Sequence, residues 1–102
     1  MSIQKHFFPG KGICQVLFTL PESYFDEAKK IAVAGDFNEW NHEKHFMRKS
    51  KKRKFRRTLE LPVGKEYQFR YLIDGSNWEN EWEADGLVET PYEEIYNSMV
   101  RL

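Results

Sequence analysis

The sequence predicts an all-β, antiparallel β-sandwich of about seven short strands. Three observations carry this reading. Apolar residues alternate with polar ones, the period of a half-buried strand. Proline, glycine and Asp-Gly signals close each strand-length run, and no stretch sustains helical spacing beyond one turn. The chain has 102 residues, the size of one ordinary domain, and 16% of them are aromatic, which fills a small core readily.

Residues 1–12 read as a lead-in and residues 13–102 as the sandwich. Val16, Phe18 and Leu20 alternate with Leu17 and Thr19 until Pro21 stops the run. Ser23 to Lys30 has room for a single helical turn. Ile31 to Ala34 is short and wholly apolar, the signature of a central strand. Phe55, Arg57, Leu59 and Leu61 form one face of the next run, which places Arg57 beside Phe55 unless the register bulges. After the turn Pro62-Val63-Gly64-Lys65, Tyr67, Phe69, Tyr71 and Ile73 form one face of a further strand; Gln68, Arg70 and Leu72 form the other. The two runs read as a hairpin. Asp74-Gly75 ends the second. Asn77 to Pro91 is acidic and loop-like, and Ile95 to Leu102 returns to a strand.

The design of strand, tight turn and tryptophan occurs twice, in Val33-Ala34-Gly35-Asp36-Phe37-Asn38-Glu39-Trp40 and in Tyr67 to Gly75 followed by Trp78. Two indoles just past strand ends can form a flat apolar platform for the CH-rich face of a sugar ring. Strand alternation puts Arg70 on the solvent face leading toward Trp78, where its donors can serve hydroxyl groups. Trp82 either extends that platform or pins the acidic loop, and pinning is the expectation. Asp36, Asn38 and Asp74 are turn formers whose side chains serve local backbone groups.

Other chemistry finds little support. Glu79, Glu81, Glu83 and Asp85 could form a carboxylate cluster, but nothing in the sequence supplies a cleft or a reason for the split pKa values that a glycoside-hydrolysing pair needs. His6, His42 and His45 have no metal-like spacing, so neither metal nor cofactor is expected, and His42 and His45 are expected only to touch solvent. The single cysteine, Cys14, allows no internal disulfide and reads as a small buried apolar residue. With no leader-like apolar run and no span, the expected location is the cytoplasm. Formal net charge is zero, yet eight of the ten residues from Arg48 to Arg57 are basic. From Tyr71 to Val100 there are eight acids and no Lys or Arg. Without interleaved aromatics for stacking, the basic run points away from nucleic acid and toward a partner protein or self-association.

Taken in order, Gly35-Asp36-Phe37-Asn38-Glu39-Trp40, Tyr67 to Gly75 with Trp78, and Asn97-Ser98 resemble the family 48 carbohydrate-binding modules. These are early-set, immunoglobulin-like sandwiches attached to isoamylases and glycogen branching enzymes, and they form the glycogen-binding domain of the AMP-activated kinase beta subunit. The resemblance covers about residues 13–102. It implies non-catalytic binding of α-1,4-linked glucan, with Trp40 and Trp78 stacking on glucose while Arg70 and Asn97 bond hydroxyls. Arg70 stands where the kinase-subunit members carry lysine, and Glu93 where they carry a leucine that enters cyclic sugars; Tyr92 is the nearby substitute. The family's catalytic members keep their acids on a separate barrel. The alternative to sugar binding is an adaptor sandwich, partnering a separate glucan-processing enzyme.

Overall fold

The structure, a computed structural model, describes residues 1–21, 28–50 and 54–102. Among these residues, nine strands run in chain order: β1 (Ser2–Phe8), β2 (Ile13–Leu20), β3 (Ile31–Gly35), β4 (Arg48–Lys49), β5 (Phe55–Pro62), β6 (Glu66–Ile73), β7 (Asn77–Glu79), β8 (Gly86–Glu89) and β9 (Tyr96–Arg101). The first sheet has the order β1-β2-β5-β4. The second has the order β3-β6-β9-β8, with β7 also paired to β6. All pairings are antiparallel.

The alternation read from sequence becomes the core. Cys14, Val16, Phe18 and Leu20 face inward from β2, with Phe55, Leu59 and Leu61 from β5. Ile31 and Val33 of β3, Tyr67, Phe69, Tyr71 and Ile73 of β6, and Val100 of β9 meet them from the second sheet. Phe18 is the keystone, edge-on to Phe69 at 5.2 Å between centroids and to Tyr71 at 6.4 Å. Such pairs add about 1 kcal/mol each to the area they bury. At one margin Lys5 Nζ bridges the sheets, donating to Asp85 Oδ2 at 2.7 Å and to the Arg101 carbonyl at 3.0 Å.

Several expectations change. Residues 1–12, read as a lead-in, supply β1, which pairs with β2 over seven residues. The runs Phe55–Leu61 and Tyr67–Ile73 are not a hairpin, because β5 and β6 lie in different sheets. The turn between them spends its backbone groups elsewhere: Val63 N–H on Gly12, Gly64 N–H on the Leu102 carbonyl, and the Lys65 carbonyl on Leu102 N–H. With the end of β5 and the start of β6 thus tied to different partners, the chain arches across the core. Tyr67 closes the arch by donating its hydroxyl to the Pro62 carbonyl at 2.7 Å.

Strand β3 is an edge strand, not a central one. It is buried along its whole length because residues 45–47 cover its free edge: Val33 N–H donates to the His45 carbonyl and Met47 N–H to the Ile31 carbonyl. The cover, His45-Phe46-Met47, is too short to show a strand period. Two short strands, β7 and β8, stand within the stretch read as loop, both too short to show a period. The helical turn expected over Ser23–Lys30 falls largely outside the described residues.

Candidate functional site

Along β6, residues 69, 71 and 73 enter the core, so 68, 70 and 72 lie on the outer face. Register places Ala34 beside Arg70 and Ala32 beside Leu72 on β3, and Trp78 of β7 beside Leu72. The small alanines leave the outer face open at Arg70. Gly35 then ends β3 directly against β6: a Cβ there would lie 2.6 Å from Phe69 Cβ. This close approach allows a tight turn, a 3-10 turn at Asp36–Asn38, which carries Trp40 back over the sheet.

That turn is built by side chains. Asn38 is buried, accepts Gly35 N–H through Oδ1 at 3.0 Å, and donates through Nδ2 to the Val33 carbonyl and to His45 Nδ1. Asp36 accepts the Trp40 indole N–H on one oxygen and the Gln68 amide on the other. Both turn-forming roles expected from sequence hold. Glu39 and Trp40 have φ of 56° and 58°, left-handed backbone for two side-chain-bearing residues in succession. Each such residue costs about 1 kcal/mol or more, and the conformation persists only where neighbours over-determine it. Here the Asp36–indole bond and the Trp40 N–H to Gly35 carbonyl bond do so.

Trp40, Trp78 and Arg70 come together. The Arg70 guanidinium carbon lies 4.9 Å from the Trp78 ring centroid and 5.8 Å from that of Trp40. The two indoles are 6.3 Å apart and inclined at 62°, so they form an angled cradle with a cation between them instead of a flat floor. Burial lowers the Arg70 pKa from its ordinary value. His42 stands edge-on to Trp78 at 6.4 Å. It and His45, which bonds Asn38, are thus more than solvent contacts.

Beside the cradle, Trp40, Gln68, Arg70, Glu89, Thr90, Tyr92, Ile95 and Asn97 are among the residues lining a cleft of about 400 Å³. Its far wall is the β8–β9 loop. The Thr90 hydroxyl donates to the Ile95 carbonyl and accepts Tyr92 N–H, which holds Tyr92 at the rim. Asn97 donates to Gln68 Oε1 at 3.1 Å. Asn97 Oδ1 and Arg70 Nε are buried without a partner in the protein. Buried polar atoms are rarely left unpaired, and both belong to side chains that line the cleft.

Three of the four residues singled out from sequence therefore line one cleft with Tyr92, and Trp78 flanks it. Trp82 is not among its lining residues and is 59% exposed. The acidic loop is anchored through its neighbour Glu81, which is buried, accepts the Tyr71 hydroxyl at 2.8 Å and Glu83 N–H at 2.9 Å, and donates its own amide to Ser98. Burial, and then the Glu81 charge, push the Tyr71 phenol well above its ordinary pKa. Sequence reasoning missed Asp36 and Gln68 as builders of the site. The signal for Gln68 was present, since it shares Arg70's face two residues away. Among the described residues, no three His, Cys, Asp or Glu gather as a metal site.

The family model described as the glycogen recognition site of AMP-activated protein kinase matches residues 21–97 of this chain. No curated protein matches it.

Proposed function

The chain belongs to the family of the glycogen recognition site of AMP-activated protein kinase, and from that premise we propose that it binds α-1,4-linked glucan without catalysis through Trp40, Trp78, Arg70 and Asn97. The observation that carries this reading is the Arg70 guanidinium held between two inclined indoles. An α-1,4-linked glucan curves, so successive rings turn relative to each other. An angled pair of indoles suits two such rings better than it suits a flat chain. Arg70 offers donors between them, and Asn97 Oδ1 supplies an acceptor at the cleft. Tyr92 at the rim extends the contact to a further ring. Among the described residues, Glu89 is the only carboxylate lining the cleft, whereas glycoside hydrolysis uses two.

A shallow site of this kind gives weak affinity for one short chain, and a branched polymer compensates by presenting many ends. The test is native gel retardation in glycogen or amylopectin, run for the wild type and for Trp40→Ala and Trp78→Ala. Removing an aromatic anchor of a binding site costs about 2 kcal/mol, roughly thirtyfold in affinity. Retardation should vanish in either variant while circular dichroism shows the fold intact. A wild type that runs unretarded removes the glucan reading.

A second reading draws on the charge segregation: an adaptor sandwich that docks a partner protein, or a second copy, through the Arg48–Arg57 face. Such a complex would dissolve in high salt, whereas indole-based glucan binding would hardly change.

A further inference from the structure

We propose that the outer face of the first sheet carries a second, separate binding site, for the phosphate groups of a phosphate-bearing small molecule. Strands β4 and β5 place Arg48 directly opposite Arg56, side chains on the same face. Like charges in that position repel and cost stability unless something neutralises them. No carboxylate of a described residue pairs with either arginine.

The ground between them is concave. Leu17, Arg48, Ser50, Arg56, Arg57 and Thr58 line a cleft of about 510 Å³. A second cleft of about 240 Å³ shares Ser50 and Arg56 with it and adds Ser2, Gln4, Thr19 and Lys54. Among the described residues, neither wall contains an acid. Instead, guanidinium, ammonium, hydroxyl and amide donors converge, the inventory that a tetrahedral oxyanion requires. Arg57 is turned differently: its Nη1 reaches the Phe46 carbonyl at 3.4 Å, which leaves Arg48 and Arg56 as the forked pair.

Shape and composition choose among anions. Among the described residues, those lining the clefts include no aromatic ring on which a nucleobase could stack. Forked guanidinium and hydroxyl donors crowded onto one spot suit the compact charge of a phosphate better than carboxylates spread over an acidic protein. The site lies on the sheet opposite the tryptophan cradle, so its occupancy does not depend on glucan binding.

The experiment is a nitrogen-15 amide NMR titration with inorganic phosphate, with glucose 6-phosphate and with sodium chloride at matched ionic strength, on the wild type, Arg48→Gln and Arg56→Gln. Saturable shifts at Ser50, Arg56 and Thr58 with either phosphate compound, absent in chloride and weakened about tenfold in each variant, are expected. Tighter binding of glucose 6-phosphate would assign the phosphate to a sugar, and equal binding to the free ion. Shifts that follow chloride equally, or that persist in both variants, overturn the site. Saturation by polyglutamate with none by phosphate overturns it in favour of protein docking. Trp40→Ala, carried through the same titration, should bind phosphate like the wild type even if glucan binding fails in every form of the protein.

Discussion

The Asp36 carboxylate accepts the Trp40 indole N–H at 3.1 Å, and its other oxygen accepts the Gln68 amide at 2.8 Å. One side chain therefore fixes both the ring and its height above β6. Trp40 sits at φ 58°, a backbone state that returns to ordinary dihedrals once its restraints are removed.

Asp36→Asn tests this coupling. An amide can accept from only one of the two donors, and its NH2 group then faces the other. The variant should lose about 1–2 kcal/mol of stability, the lower range for charged hydrogen bonds because Asp36 is exposed. It should also weaken glycogen retardation, although Asp36 is not placed against the sugar. Urea unfolding and the affinity gel, run together, check both. Unaltered retardation would mean that Trp40 keeps its place unaided.

Gly35 is required by space and not by dihedral freedom, since its φ of −173° is ordinary extended backbone. An added Cβ would press on Phe69 Cβ at 2.6 Å and on the Gln68 carbonyl. Both are parts of the paired β6 backbone and neither can swing away. Gly35→Ala should cost about 3 kcal/mol and lower Tm by roughly 10–20 °C, read by thermal unfolding. A loss below about 1 kcal/mol would show that β3 and β6 separate easily at this point.

The parts of the fold legible in sequence were those governed by one strand at a time. Alternation in β2 and β6 named the core and put Arg70 outward, because a half-buried strand sorts its side chains by parity alone. Pairing was less legible. Phe55–Leu61 and Tyr67–Ile73 look like hairpin arms, but whether a four-residue turn closes a ladder or arches between sheets depends on distant partners, here Gly12 and Leu102. The edge position of β3 was hidden for a related reason, since residues 45–47, which cover it, are too few to read as strand. At the site, the motifs located Trp40, Trp78, Arg70 and Asn97, whereas the 62° between the indoles depends on Asp36, Asn38 and the left-handed turn they hold. Trp82 was expected to pin the acidic loop on its large apolar area. The buried Glu81, bonded to Tyr71, anchors the same loop, and that role was hidden because a satisfied carboxylate can occupy a core position that its type alone would forbid.

His45 makes the tryptophan turn sensitive to acid. Asn38 Oδ1 accepts from Gly35, so its Nδ2 must donate to His45 Nδ1, and that nitrogen must be unprotonated. Burial first, then the positive charges of Arg57 and Lys44, hold the His45 pKa below its ordinary 6.5. The folded state thus binds this proton less readily than the unfolded chain. The resulting stability is full above pH 6.5 and is lost as pH falls from there through the lowered folded value. The loss can reach at most about 1.4 kcal/mol per pH unit from one group. His45→Gln keeps an acceptor for Asn38 but cannot titrate, so its urea midpoint should fall less steeply between pH 7 and pH 5 than that of the wild type. Because Asn38 holds the turn that carries Trp40, glycogen retardation by the wild type should weaken over the same interval, and the variant should resist that change. Parallel midpoint curves for the two proteins would remove His45 as the group responsible.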